Sequence, residues 1–491
     1  MTATAATFSS TPEAHSLPQD AFGWLGAINQ ASAVINTDLG LLDAALAPRV
    51  AQGIAQVLAD GAQPGAARPD LVISVEPLLI AAAGPEVTLL HAGRSSQDML
   101  ATVQTAMLRT ALLDLAQQLT ATMQALATLA QQHQATVVPS YTNGVAAQPN
   151  TYGHMLLGHF AGLARDAERL RQAYARLNLC PMGTTVLNGT GWPLDRARMA
   201  AYLGFAAPVD NAYDAAQIAT VDRPVEAAAL ITSVALHVGS LVEDVMVQYA
   251  QPQPWILLRE GGGNTYVSSA MPQKRNPGLL NRTRQDASSA IAQAMAPVLR
   301  AHNIPPGMQD AKDVAENQAM VHSGIQALRQ LEKVLGALRI DPERALQELN
   351  SDWTASQELA DQLMRDHGLP FRVGHHFASE VVTVARGHGW GPLDFPYAEA
   401  QRIYADVVQD YAPGQALPLS AQAFRAALDP AAIVQARATS GGPQPAEMQR
   451  MLALAQQTLA QQVDWACAEC SRITSALAQL DKDFARLLPA A

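Results

Sequence analysis

Apolar side chains recur every three or four positions along several long stretches of this chain. The clearest series runs from Leu108 to Ala130, and such spacing places its members on one side of a helix. We predict one long helix here, ended by Pro139. The same spacing predicts further helices over residues 154–177, 225–249, 278–300, 314–338 and 445–487.

Helices of this length, without alternating strands between them, are typical of a helix bundle. We therefore predict an all-α fold with three helical domains. They are an N-terminal domain at 1–105, a central long-helix bundle at 106–366 and a smaller C-terminal domain at 367–491. The narrow apolar stripes of the central helices indicate association with other chains, because one chain supplies too little surface to cover them.

Composition narrows the classes of function. The 491 residues carry a net charge of -11 with no basic tract, which argues against nucleic acid or an anionic membrane as partner. The most apolar run, residues 71–84, contains Glu76 and Pro77 and is too short to span a bilayer. The start of the chain lacks the features of a signal peptide. Three cysteines are too few for a disulfide framework, so we expect a cytoplasmic protein.

The loop at residues 261–277, hereafter the lid, concentrates polar chemistry. A glycine run, Gly261 to Gly263, precedes the segment Tyr-Val-Ser-Ser-Ala-Met-Pro-Gln-Lys-Arg-Asn-Pro at 266–277. Glycines let a loop move, and a moving loop can close over a substrate. The segment resembles the signature loop of the fumarase/aspartase superfamily, Gly-Ser-Ser-x-Met-Pro-x-Lys-x-Asn-Pro.

The resemblance implies a role for each polar residue of the lid. Ser268 would be the general base, activated by Lys274 and by nearby backbone N–H groups. Lys274 would hold the dianionic carboxylate that forms when the adjacent carbon loses its proton. Ser269 and Asn276 would bind the substrate. Val267 stands where the family has glycine, and a β-branched residue resists positive φ, so the local backbone is expected to differ.

Two earlier segments resemble the other superfamily blocks. His-Ala-Gly-Arg-Ser-Ser-Gln-Asp at 91–98 lies ahead of the long helix, where free N–H groups suit an anion and where Ser and Asp are also ordinary N-caps. The resemblance implies substrate binding by Ser95, Ser96 and Gln97, the last two in place of Arg and Asn. Tyr-Thr-Asn-Gly-Val-Ala-Ala-Gln-Pro at 141–149 implies substrate binding by Thr142, with Asn143 at the position of the catalytic His.

Three more segments are similar to argininosuccinate lyase: Cys-Pro-Met-Gly at 180–183, Met-Gln-Asp-Ala-Lys-Asp at 308–313 and Gly-Leu-Pro-Phe-Arg-Val-Gly-His at 368–375. The resemblance implies that Gln309 and Lys312 bind the substrate. It also exposes departures, since Asn281 replaces the Glu that orients the catalytic His and Ile304 replaces a substrate-contacting Tyr. An amide cannot donate a proton at neutral pH, so the acid half of the chemistry differs.

The resemblance implies a homotetramer with active sites shared between chains, no cofactor and no metal. It implies β-elimination from a substituted succinate, in which a C–N or C–O bond breaks and fumarate leaves. The departures predict a substrate other than argininosuccinate. Two alternatives stay open: a carboxymuconate-type cycloisomerase, whose first block also carries Ser-Gln-Asp, and a non-catalytic structural relative.

Overall fold

Helices dominate the structure, a computed structural model that describes residues 17–308 and 313–489. Over this part of the chain the helices are α1 (Ala21–Asp38), α2 (Ala47–Gly61), α3 (Val72–Ala83), α4 (Ser96–Gln132), α5 (Tyr152–Leu177), α6 (Arg196–Tyr202), α7 (Ala219–Met246), α8 (Gly278–Ala301), α9 (Val314–Ala337), α10 (Pro342–Ser351), α11 (Ser356–His367), α12 (Phe371–His388), α13 (Tyr397–Val407), α14 (Ala421–Leu428), α15 (Pro430–Ala436) and α16 (Pro445–Ala485).

Short strands form four two-stranded sheets in the described residues. The strands are β1 (Val137–Thr142), β2 (Val145–Thr151), β3 (Leu179–Cys180), β4 (Ala207–Pro208), β5 (Ile256–Leu258), β6 (Tyr266–Val267), β7 (Arg275–Asn276) and β8 (Leu338–Ile340). The pairs are β1–β2, β3–β4, β5–β8 and β6–β7, and only β3–β4 is parallel. The predicted all-α class is confirmed, because these strands only tie helix ends and loops together.

The long helix α4 is the centre of the fold. Ser95 and Asp98 form a capping box at its start, and its apolar side packs against α5, α9 and α16. The helix ends at Gln132, so the predicted stop at Pro139 is wrong. Pro139 lies instead in β1, where φ near -65° fits an extended strand and its missing N–H is tolerated at a sheet edge.

Helices α5, α8 and α9 match the predicted ranges to within two residues. Helix α7 begins at Ala219, six residues before the prediction, and follows a π-helical turn at Asp214–Ile218. Pro224 lies inside α7 and cannot donate to the carbonyl four residues earlier, that of Thr220. The side-chain amide of Gln104 on α4 donates to this carbonyl at 3.3 Å, which compensates for the proline.

Two hydrophobic clusters make up the core. The large one joins α1–α9 with α16, and Tyr174 on α5 meets Trp465 on α16 edge to face at 5.3 Å. The small one is built from residues 353–428. The buried side of α16 thus belongs to the central bundle, although α16 lies in the predicted third domain. The boundaries at 105/106 and 366/367 stay predictions.

One segment, Asp214–Ala250, is long and apolar enough to cross a membrane by length and composition. Half of its most apolar stretch is buried inside the bundle, as in the core helix of a globular fold.

Candidate active site

The lid folds as a small β-hairpin. Strand β6 pairs with β7 in the register Tyr266 to Asn276 and Val267 to Arg275. This pairing brings the two ends of the tip together, and the Ser268 N–H donates to the Lys274 carbonyl at 3.1 Å. Val267 lies in a strand, which suits a β-branched residue, so glycine is not required at this position.

Ser268 is held as a hydrogen-bond acceptor. Its Oγ accepts the backbone N–H groups of Ala270 and Met271 at 3.4 and 3.3 Å. Donors that point at an oxygen favour negative charge on it, so this turn suits a serine oxygen that gives up its proton. The Lys274 ammonium is exposed and forms no hydrogen bond or ion pair with any residue in 17–308 or 313–489, which leaves it available to an anion.

The lid is attached firmly at its ends and open at its tip. The Asn264 amide donates to the Arg259 carbonyl at 3.0 Å, and the Leu279 N–H donates to the Asn264 carbonyl at 2.9 Å. Between these anchors, Ser269 and the following tip residues are exposed, whereas Asn276 is half-buried where the hairpin meets α8. The tip can therefore move while its base stays in place.

The first block forms the N-terminus of α4. The Ser95 hydroxyl accepts the Gln97 N–H at 3.3 Å, and the Asp98 carboxylate accepts the Ser95 N–H at 2.6 Å. Ser95 and Asp98 thus cap the helix. Ser96 is exposed and Gln97 is half-buried beside them, at the end of the helix that favours negative charge.

Asp98 also binds a distant loop. Its second carboxylate oxygen accepts the N–H groups of Gly183, Thr184 and Thr185 at 3.1, 2.9 and 3.2 Å. Gly183 and Thr185 both have positive φ, 82° and 44°, which turns these N–H groups toward one point. Burial raises the pKa of Asp98, and the N–H groups of Ser95, Thr184 and Thr185 oppose that rise. The carboxylate therefore fixes the first block to the 183–185 loop.

Arg94, just before the block, is buried and donates to Asn29 at 2.9 Å and to Ser32 at 3.0 Å. Burial lowers the pKa of Arg94 to about 10. Its guanidinium holds α1 against the start of α4, so Arg94 supports the block from inside.

The second block forms the β1–β2 hairpin. Thr142 pairs with Val145, so Asn143 and Gly144 make a two-residue turn, with φ of 52° and 76°. Such turns need positive φ at both positions, which Asn and Gly tolerate best. Thr142 and Asn143 are exposed at the tip. The Asn-Gly pair would have indicated this hairpin from the sequence, and it gives Asn143 a conformational reason for its identity.

A half-buried tyrosine, Tyr141, anchors this hairpin. The Tyr141 hydroxyl donates to the Glu348 carboxylate at 2.5 Å and accepts the Trp255 indole N–H at 2.8 Å. Burial, and then the bond to Glu348, raise the pKa of Tyr141 far above its usual range. Trp255 leads directly into β5, so one network ties the second block to the strand that precedes the lid.

Within the described residues, no hydrogen bond joins Ser268 or Lys274 to Thr142 or Asn143. Gln309 and Lys312 lie outside the described residues. Ile304 lines an apolar cavity of about 210 Å³ with residues of the π-helical turn, including Ala216 and Ile218.

Asn281, in the first turn of α8, is half-buried next to the root of the lid. In the described part of the chain, no group of three His, Cys, Asp or Glu side chains is placed to hold a metal ion.

Comparison with known proteins identifies the family of this chain. A family model described as Lyase matches residues 24–291, and one described as Argininosuccinate lyase C-terminal matches residues 353–435. The argininosuccinate lyase of Methanosarcina barkeri (strain Fusaro / DSM 804) is 29% identical over 442 residues, covering 88% of this chain and 86% of that one. That of Methanoculleus marisnigri (strain ATCC 35101 / DSM 1498 / JR1) is 32% identical over 395 residues, covering 80% and 77%.

Solved structures show the same fold. The crystal structure of EDDS lyase in complex with formate has a TM-score of 0.85 at 25% identity and covers 95% of this chain and 92% of that one. A 3-carboxy-cis,cis-muconate lactonizing enzyme from Pseudomonas putida has a TM-score of 0.61 at 20% identity, over 89% and 95% of the chains, and shows the fold alone. This chain belongs to the lyase family, in the argininosuccinate lyase branch of the fumarase/aspartase superfamily.

Proposed function

We propose that this protein removes a proton and an amine from an N-substituted succinate other than argininosuccinate. Family membership makes it a carbon–nitrogen lyase that releases fumarate. The observation that carries the assignment of the base is the Ser268 oxygen, which accepts two backbone N–H groups on an exposed hairpin. No cofactor takes part in the proposed reaction.

In the proposed reaction, the Ser268 alkoxide takes the proton from the carbon next to one carboxylate. That carboxylate becomes a dianion, which the Lys274 ammonium and the Asn276 amide stabilise. The electron pair then breaks the bond to the nitrogen on the neighbouring carbon, which enters the reaction protonated as an ammonium and leaves as a neutral amine, and fumarate forms. Ser95, Ser96, Gln97, Thr142 and Ser269, together with Gln309 and Lys312, are proposed to bind the substrate.

Four positions support a different leaving group. Relative to the family pattern, Ser96 stands in place of a cationic Arg, and Ile304 stands in place of a Tyr with its hydroxyl. Asn143 and Asn281 stand in place of the acid His and of the Glu that orients it. Loss of both partners together avoids a lone buried charge. We infer a leaving amine that departs with little help from a protein acid.

The lack of hydrogen bonds between the lid and the second block, within the described part of one chain, supports a homotetramer with shared active sites. Leu236 on α7 and Met295 and Leu299 on α8 are 59%, 50% and 70% exposed, although apolar. Exposed apolar faces on central helices are typical of surfaces that other subunits cover. We propose that such contacts bring the lid of one chain to the hairpin and α4 of others, in the cytoplasm, in amino-acid metabolism.

The test is a screen of N-substituted succinates, read by fumarate absorbance, with the Ser268→Ala variant. We expect kcat to fall about 10³-fold, since a general base contributes roughly 10²–10⁴-fold. Ser288→Ala changes an exposed serine on α8 and should leave kcat unchanged. Full activity of Ser268→Ala would remove the proposed base.

The screen also separates the alternatives. If argininosuccinate is the best substrate of the wild type, the substrate assignment fails while the base assignment stands. A ring-closed product without fumarate, seen by NMR, would identify a cycloisomerase. Absence of turnover with every member of a broad panel would favour a structural relative.

A further inference from the structure

A basic cleft lies at the root of the lid, and the proposed reaction does not use it. It measures about 480 Å³, and its lining includes Arg259, Gly262, Gly263, Arg282 and Lys333. We call it the root cleft. Arg259 follows β5, Arg282 belongs to α8 and Lys333 to α9, so three elements contribute one cation each.

The charge of the root cleft is one-sided. No carboxylate is among its lining residues in the described part of the chain. Two acids are adjacent to these cations in sequence: Glu260 is paired with Arg275 of the lid at 3.1 Å, and Glu332 accepts the side-chain N–H of Gln118 at 2.9 Å. The root cleft is therefore positively charged, although the protein as a whole has a net charge of -11. Such a concentration attracts anions from solution.

The cations are held in place by the backbone but keep free donors. The Arg282 guanidinium donates one N–H to the Gly263 carbonyl at 2.6 Å, and the Arg259 guanidinium donates to the Gly336 carbonyl. Each guanidinium has five N–H donors, so most remain available. Among residues 17–308 and 313–489, the Lys333 ammonium has no hydrogen bond or ion pair.

The glycine run beside the cleft has open space around it. Gly261, Gly262 and Gly263 have φ of 84°, 59° and 79°, a region that favours glycine. A Cβ at Gly261 would meet nothing within 4 Å, and at Gly262 and Gly263 only one side-chain atom at 3.8 Å. The run is held by hydrogen bonds, from the Asn264 N–H to the Gly261 carbonyl at 2.9 Å and from Arg282 to the Gly263 carbonyl, and not by side-chain packing, so a ligand in the cleft would add to these restraints.

We propose that the root cleft binds a small polyanion, with two or more phosphate or carboxylate groups, that restrains the lid. The volume lies within the roughly 300–1,000 Å³ of small-molecule sites and exceeds the needs of a single inorganic anion. Two guanidinium groups suit the paired oxygens of phosphate or carboxylate, and an ammonium adds a point charge. A ligand that spans α8 and α9 closes the cleft across the glycine run.

Binding is tested by calorimetry with pyrophosphate, on the full-length protein at constant ionic strength. We expect saturable binding that is weaker by up to about fivefold in Lys333→Gln, because an exposed ion pair contributes up to about that factor. Lys482→Gln, an exposed lysine on α16, is the matched control and should bind like the wild type. Equal weakening by both variants, or no saturable binding, overturns the proposal.

Trypsin cleavage at Lys274–Arg275, in the exposed lid, measures the effect on movement. Pyrophosphate should slow cleavage there at least about threefold in the wild type, and less in Lys333→Gln. Unchanged cleavage at saturating pyrophosphate would refute the link to the lid. Neither readout needs turnover, so failure of the root-cleft proposal is distinguishable from failure of the proposed lyase reaction.

Discussion

Replacement of Asp98 by alanine should destabilise the protein, although Asp98 lies in a segment that resembles a substrate-binding block. Its carboxylate is completely buried and accepts four backbone N–H groups, from Ser95 and from residues 183–185. Alanine leaves all four donors without a partner. It also releases the loop in which Gly183 and Thr185 have positive φ.

The expected loss follows from these contacts. A backbone hydrogen bond contributes about 1 kcal/mol net, so loss of four gives about 4 kcal/mol. Burial of the charge offsets part of this, as the raised pKa of Asp98 indicates. We therefore expect the free energy of unfolding of Asp98→Ala to fall by about 2–4 kcal/mol. Asp98→Asn keeps one acceptor oxygen and should lose less.

Urea unfolding followed by circular dichroism measures the change, at one protein concentration because subunit association shifts apparent stability. Asp114→Ala is the matched control, since Asp114 is an exposed carboxylate on the same helix. A loss below about 1 kcal/mol in Asp98→Ala would show that the four N–H groups find water instead, and that the carboxylate is not the anchor of this loop.

Three further predictions concern the second block and the region before α4. Tyr141→Phe should lower the free energy of unfolding, measured in urea, by about 1–3 kcal/mol, because Glu348 and Trp255 lose a hydrogen-bond partner. The control Tyr411→Phe changes an exposed tyrosine and should not lower this free energy. Burial, and then the charge of Arg94, lower the pKa of His91 below 6.5, so the folded state binds this proton more weakly than the unfolded chain. Stability should therefore decline as pH falls below 6.5, and the urea midpoint should fall less steeply with pH in His91→Gln than in the wild type. An equal pH dependence in both proteins would contradict this role of His91. Asn143→His with Asn281→Glu should raise argininosuccinate cleavage about 10²-fold over either single change, and additive effects would argue against a restored acid pair.

The long helices could be predicted because the apolar spacing that indicates each helix lies within that helix. Apolar spacing covers α4, α5, α8 and α9 residue by residue, and these helices matched to within two residues except at the ends of α4. The start of α7 was missed because Pro224 suggests a helix boundary. The bond from Gln104 that compensates for this proline joins positions 116 residues apart.

The sequence could name candidate residues for the site but not their arrangement. The lid sequence indicated Ser268 and Lys274, yet nothing in it indicated that a hairpin brings them together. The carboxylate of Asp98 and its three donors are 85 to 87 residues apart, and the root cleft combines three elements. Such contacts depend on tertiary packing, which no local pattern records.

Asn143 shows how the two kinds of evidence combine. By its resemblance to the family, the second block has Asn143 at the position of an acid that this chain lacks. The structure shows that Asn143 also suits the left-handed position of an Asn-Gly turn. The two explanations are compatible. If the leaving amine does not need a proton from position 143, the residue there is constrained only by the turn, which favours Asn. Asn281, on α8, lies outside any such turn, so its change from Glu has no conformational reason in this structure. We therefore explain Asn281 by altered chemistry alone, and Asn143 by altered chemistry together with the geometry of its turn.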